Sequence, residues 1–130
     1  QRSENNPIYY IQYAHARICS IFKQLEENKM FFNYQKEHLE LLSKEEELSI
    51  VKKLSSYPDV IKKSTEKYEP HLLTNYMREL AQEIHSYYNK FQILVEDEDL
   101  RNARLALMEA SKNVLMNSSK IIGIKMPNKM

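Results

Sequence analysis

The groups in this chain that could carry chemistry are four histidines, one cysteine and a set of tyrosines with an arginine near the N-terminus. A metal needs several ligands at tight spacing, but His15, His38, His71 and His85 are scattered and Cys19 is alone. No histidine precedes an aspartate, the pair that all-helical metal phosphohydrolases use. The acids Glu45-Glu46-Glu47 fall in a first helical turn, where they complement the helix dipole rather than form an acid–base pair. A phosphate-cradling loop needs glycines, and the chain has one. The expectation is a domain with no catalytic residue and no metal ligand.

The tyrosines and arginine are more informative. Asn6 suits a helix N-cap and Pro7 the first helical position. From there Ile8, Ile11, His15, Ile18, Phe22 and Leu25 recur at three-four spacing and predict one core stripe. At about 100° per residue, Tyr10, Tyr13, Arg17 and Gln24 centre roughly 140° from that stripe. One helix thus carries an apolar face and a separate aromatic-plus-arginine face. Unpaired RNA bases stack on such rings and guanidinium planes. The same face could instead dock a protein neighbour. His15 lies on the core stripe and is expected to be buried and hydrogen-bonded.

The elements that must position these groups read as helices throughout. The first ends near Asn28, and Phe31-Phe32-Asn33-Tyr34 reads as an apolar connection packed on the core. Ser43 with Glu46 makes a capping box for a helix whose buried side is Leu48, Val51 and Leu54. Tyr57-Pro58 stops it and starts another, with Val60, Ile61, Ser64 and Tyr68 at helical spacing. Glu69-Pro70 opens the longest helix, striped by Leu73, Met77, Leu80, Ile84, Tyr87 and Phe91, and His71 in its first turn is expected to be structural. A last helix runs from about Leu100 towards Ile121 and stops at Gly123. The fold class is all-α, a bundle of about five helices.

Composition agrees. The 130 residues fit one domain; 42% are hydrophobic and 28% charged, as in an ordinary globule. No apolar run is long enough for a bilayer, and the N-terminus lacks a signal-peptide core. It also lacks a start methionine, which suggests a fragment of a longer chain. A lone cysteine fits a reducing compartment, and a cytoplasmic location is expected. Net charge is +1, but it is unevenly spread. Residues 101–130 hold six basic groups (Arg101, Arg104, Lys112, Lys120, Lys125, Lys129) against Glu109, a candidate electropositive face.

An ordered series of short motifs carries a resemblance. Tyr9-Tyr10-Ile11-Gln12-Tyr13-Ala14-His15-Ala16-Arg17 is similar to the segment aromatic-x-Gln-Tyr-Ala-His-small-Arg with which arginyl-tRNA synthetases enter their C-terminal anticodon-binding (DALR-type) domain. Tyr57-Pro58-Asp59-Val60-Ile61, Glu69-Pro70-His71, Tyr76-Met77-x-Glu79-Leu80-Ala81 and Tyr87-Tyr88 follow in the family's order. Arg101-x-Ala103-Arg104-Leu105-Ala106-Leu107, Val114-Leu115-x-Asn117, Ile122-Gly123-Ile124 and Pro127-x-x-Met130 complete it. The series covers essentially the whole chain. Related domains occur in other class I synthetases, including cysteinyl ones, but the block 12–17 and the ending on Met130 favour arginine. Asn128-Lys129 stand where the family's tail has Glu-Arg, Ser118 where it usually has Gly, and His85 where it often has an aromatic or small apolar residue.

The resemblance implies a single C-terminal anticodon-binding domain over residues 1–130, whose partners are the anticodon stem-loop of arginine tRNA and the catalytic domain of the same chain. Tyr13 and Arg17 would face RNA, Tyr88 would supply an aromatic, and Met130 would lie near the anticodon with its carboxylate held by the domain. Tyr10 and Arg104 join them as candidate tRNA-binding residues, from the aromatic face and the basic C-terminal part. No cofactor is expected in this domain; ATP and magnesium belong to the catalytic domain, which in full length joins arginine to tRNA. The alternative reading is a helical protein–protein interaction domain.

Overall fold

The first and last helices begin where a side chain substitutes for the backbone's missing hydrogen bonds. The computed structural model describes residues 6–33 and 38–130. Helix α1, Pro7–Glu27, starts at Asn6, whose Oδ1 accepts from the Ile8 N–H at 2.9 Å. It ends at Asn28, and Lys29 enters the left-handed region at φ 56° to turn the chain. A 3-10 turn, Leu39–Leu41, leads to α2, Glu45–Ser55, then α3, Tyr57–Glu66, and α4, Pro70–Lys90. Helix α5, Glu98–Ile122, is capped by the Asp97 carboxylate, which accepts from the Asp99 and Leu100 N–H groups at 3.1 and 3.3 Å. Gly123 at φ 79° ends it, the left-handed position glycine takes without strain. These five α-helices are all-α, as expected, with no strand among the described residues.

The core runs along α4. Leu73, Met77, Leu80, Ile84 and Tyr87 are fully buried against α1, α2, α3 and α5. From α1 come Ile11, Ile18, Ile21 and Leu25, while Ile8 is exposed.

Helix α2 departs from the sequence reading. Its inward residues are Glu47, Ile50 and the half-buried Leu54, while Leu48 is 52% and Val51 38% exposed. The capping box also sits one residue later. The Glu47 Oε1 accepts from the Lys44 N–H at 3.0 Å, and Glu46 instead pairs with Lys90 at 2.6 Å. Glu47 is completely buried, and its Oε2 accepts from the Tyr87 hydroxyl and from the Arg104 Nε at 2.8 Å. The Arg104 Nη1 donates to the Gln92 carbonyl at 2.7 Å. One carboxylate thus ties α2, α4 and α5 together. Leu48 and Val51, turned outward, line a shallow apolar groove with Leu39, Phe32 and Ala110.

Other expectations resolve locally. Phe32 packs on Phe22 with ring centres 6.0 Å apart, but Phe31 is 82% exposed, and Tyr34 lies outside the described residues. Tyr68 lies beyond α3 with φ 53° and is 91% exposed, because the chain must turn there to enter α4. His71 is exposed in the first turn of α4. Tyr57 joins α3 to α5, donating to Asn117 Oδ1 at 2.7 Å and accepting from the Ser118 hydroxyl at 3.2 Å.

After Gly123 the tail returns along α1. The Gln12 Nε2 donates to the Lys125 carbonyl at 2.8 Å, and the His15 Nδ1 to the Pro127 carbonyl at 3.1 Å. His15 is buried and hydrogen-bonded, as its place on the stripe implied. Because a carbonyl only accepts, His15 is the Nδ1–H tautomer. Burial holds its pKa below the ordinary 6.5, with Lys112 adding to the effect against the tail's hydrogen bond. The buried His85 on α4 is lowered likewise, again chiefly by burial.

Two outcomes follow. Replacing Glu47 by Leu strands a buried guanidinium and should cost about 3–5 kcal/mol in urea unfolding, whereas Glu47→Leu with Arg104→Met should recover at least half of it. A single-variant loss below about 1 kcal/mol would remove the pair from its central place. Acidification is the second. A histidine whose folded pKa lies below 6.5 leaves the fold at full strength above that value, and stability is lost as pH falls through it towards the folded pKa, since the unfolded chain takes up protons first. The unfolding midpoint should therefore drop between about pH 7 and pH 5, before ordinary carboxylates titrate. A flat profile there would contradict the buried neutral state of both rings.

Candidate nucleic-acid interface

The seam between α1 and α4 gathers the aromatic and arginine side chains. Tyr13 and Arg17 lie one turn apart on α1, as do His85 and Tyr88 on α4, so each pair shares one helix face. The Arg17 guanidinium lies between two rings, its carbon 4.6 Å from the Tyr13 centroid and 4.5 Å from the Tyr88 centroid. Such cation–π contacts hold a charge without neutralising it. Tyr9 extends the platform, its ring 6.1 Å from that of Tyr13 and tilted only 14°.

Arg17 is also fixed from behind. Its Nη1 lies 3.0 Å from the His85 Nδ1, and the His85 Nε2 lies 3.1 Å from the Tyr10 carbonyl. Guanidinium only donates and carbonyl only accepts, so His85 is neutral, with its proton on Nε2 and a lone pair on Nδ1. The Tyr10 and Tyr13 rings flank the imidazole at 4.4 and 5.3 Å.

In front of this cluster opens a cleft of about 850 Å³, lined among others by Tyr13, Arg17, Tyr88, Lys23, Lys112 and Met130. The tail forms its far wall, because Gln12 and His15 clamp the chain three to five residues before its end. Asn128 approaches the Cys19 thiol at 3.8 Å. Burial pushes that thiol up, away from the thiolate a nucleophile needs. Lys112, Lys120, Met116 and Asn117 continue the surface beyond the tail as a more polar hollow.

Four of the six candidate residues, Tyr13, Arg17, Tyr88 and Met130, therefore meet at one cleft. The other two do not. Tyr10 is half-buried with its ring against His85, so it backs the cluster rather than lining the cleft. Arg104 is only 6% exposed and bound to Glu47, so its charge is spent inside the fold; it is a structural residue, and the sequence reading of it as a surface group is corrected. Arg101 is likewise occupied, its Nη1 donating to the carbonyls of Val95 and Glu96 at 3.1 and 3.2 Å. Among the described residues no ion pair reaches the Met130 carboxylate; the tail is held by its main-chain carbonyls. Sequence reasoning missed the clamp role of Gln12, though Gln12 and His15 at i, i+3 beside the apolar stripe were a usable signal. It also missed the bond between Arg17 and His85, which lie 68 residues apart and carry no local pattern.

Among the described residues no group of three or more His, Cys, Asp or Glu is placed to hold a metal, and no helix is long and apolar enough to cross a membrane.

Comparison with known proteins gives the family. Residues 11–130 match the family model of the DALR anticodon binding domain. The chain is 44% identical over 131 residues to an arginine–tRNA ligase of Coxiella burnetii, covering 99% of this chain and 22% of that protein. It is 45% identical over 130 residues to one of Legionella pneumophila, covering 98% of this chain and again 22% of the relative. It thus spans about a fifth of these relatives' length. A crystal structure described as a putative arginyl-tRNA synthetase from Campylobacter jejuni superposes with a TM-score of 0.85 over the whole chain and 28% of that structure, at 23% identity, which speaks for the fold. A match that runs from Ile11 to the last residue makes this chain a member of the DALR anticodon binding domain family.

Proposed function

We propose that this chain reads the anticodon loop of arginine tRNA, as one domain of a longer arginine–tRNA ligase. The observation that carries the reading is the Arg17 guanidinium held between the Tyr13 and Tyr88 rings at the mouth of a cleft. A flipped-out base meets there what single-stranded RNA recognition uses: aromatic faces to stack on and a fork of N–H donors for its edge. The relatives' names supply arginine. All arginine codons have G in the middle, so all arginine anticodons have a central cytosine. That base offers two adjacent acceptors, O2 and N3, to a donor such as Arg17. Lys112, Lys120 and Lys129, around the cleft and the hollow beside it, would meet phosphates. Met130 would close the cleft from the tail side.

Joining arginine to tRNA with ATP would fall to parts of the protein beyond this chain, and magnesium with it. A cytoplasmic setting follows from that role.

Binding of arginine tRNA to the full-length protein tests the reading. Tyr13→Ala and Tyr88→Ala should each weaken it on the order of 10- to 100-fold, the contribution of one base stacked on one ring. Changing the central cytosine should weaken it similarly, and affinity should fall steeply with salt. Unchanged affinity in both tyrosine variants, with weak salt dependence, would sink the assignment and favour a protein-docking face.

A further inference from the structure

Arg17 has to present its donors in one direction to tell one base edge from another. A guanidinium between two rings is restrained in height but free to slide and rotate in their plane, because the attraction of a ring face has little directional preference within it. The restraint that remains comes from His85. Its Nδ1 is an acceptor for the Arg17 Nη1 at 3.0 Å, and it is presented by a ring whose other nitrogen is anchored on the Tyr10 carbonyl at 3.1 Å. The imidazole is only 5% exposed, so water does not compete for that lone pair. The groups facing it come from α1: the Arg17 guanidinium, the phenol rings of Tyr10 and Tyr13, and the Tyr10 carbonyl. Tyr88, on its own helix, faces it across Arg17. Among the described residues no carboxylate is hydrogen-bonded or ion-paired to His85 or Arg17, so no such partner offsets a second positive charge on the ring.

We propose that His85, as the neutral Nε2–H tautomer, is a positioning residue that fixes the Arg17 guanidinium between Tyr13 and Tyr88 for an incoming base, and that protonating His85 releases Arg17 and weakens tRNA binding. The proposal rests on the reading of the cleft as the anticodon site. Protonation puts an N–H where the lone pair was and a cation 3.0 Å from a cation, so Arg17 must swing away. The consequence runs against the general trend. Acid makes any protein more positive and tightens its grip on phosphates, whereas here acid should loosen it.

The test is tRNA affinity of the full-length protein followed from about pH 7.5 downwards for as long as melting curves show it folded, for the parent, His85→Phe and His85→Asn. His85→Phe keeps a ring and loses the acceptor; it should bind about tenfold more weakly at the higher pH and show no acid-induced loss. His85→Asn places an oxygen near the Nδ1 position; it should bind like the parent at the higher pH and keep that affinity in acid, where the parent weakens as His85 takes up its proton. Parent-like affinity in His85→Phe, equal weakening of both variants, or an acid loss that survives in His85→Asn would overturn the proposal. Arg17→Ala separates it from the reading beneath it. If Arg17→Ala binds normally, the anticodon site itself is misplaced; if it binds weakly while His85→Phe binds normally, only the positioning role fails. Nitrogen-15 spectra of the free protein give a tRNA-independent check, since a protonated Nδ1 at neutral pH would exclude the bond to Arg17.

Discussion

The carboxylate of Glu47 constrains most of this domain. It is completely buried, and it is held by three donors from three places: the Lys44 N–H at the start of its own helix, the Tyr87 hydroxyl on α4 and the Arg104 guanidinium on α5. A buried charge tolerates little displacement, because every lost donor leaves desolvation uncompensated. The network therefore sets the rotation of α4. With Tyr87 turned to Glu47, Tyr88 follows about 100° round the helix and His85 about 200° back, so both come to the side where α1 packs. Two adjacent tyrosines of similar chemistry thus do different work. Burial and the carboxylate push the Tyr87 phenol up, keeping it a donor inside, while Tyr88 keeps one face for Arg17 at the cleft.

Helix α1 answers from the other side of the seam. Gln12 and His15 take the tail's carbonyls, and Tyr13 and Arg17 meet α4. These pairs are interleaved in sequence but lie on well-separated faces, roughly 150° apart at about 100° per residue, so a single helix rotation sets both the tail and the aromatic platform. The clamp grips the tail through its backbone, and the Asn128 side chain adds a contact of its own to the Cys19 thiol at 3.8 Å.

Much of the architecture was legible because local signals decide it. The α1 cap at Asn6, the α4 stripe and the glycine after α5 each rest on residues within a turn of one another. The platform of Tyr13 and Arg17 was legible for the same reason. The failures have a common cause in long-range charge. Glu47 reads as a surface acid in an acidic first turn, so the apolar Leu48 and Val51 were assigned the inward side that Glu47 takes. Arg104 reads as a member of a basic surface for want of a visible partner 57 residues earlier. Periodicity sees hydrophobicity, and it has no term for a carboxylate whose side-chain donors arrive from other helices.

Arg17 and Arg104 show how the same side chain is put to opposite ends by its surroundings. Arg104 meets a carboxylate and a carbonyl, so its charge is matched and its donors are occupied. Arg17 meets two ring faces and one imidazole lone pair, none of which carries a formal charge. Among the described residues no acid is paired with it, and the side chain lines the cleft. An arginine paired with an acid would have to give up that partner to bind an anionic or carbonyl-rich ligand, and would recover little net free energy. An arginine held by rings and a neutral histidine has no such partner to surrender, and this makes the seam of α1 and α4, rather than the more basic helix α5, the place in the fold suited to recognise a base.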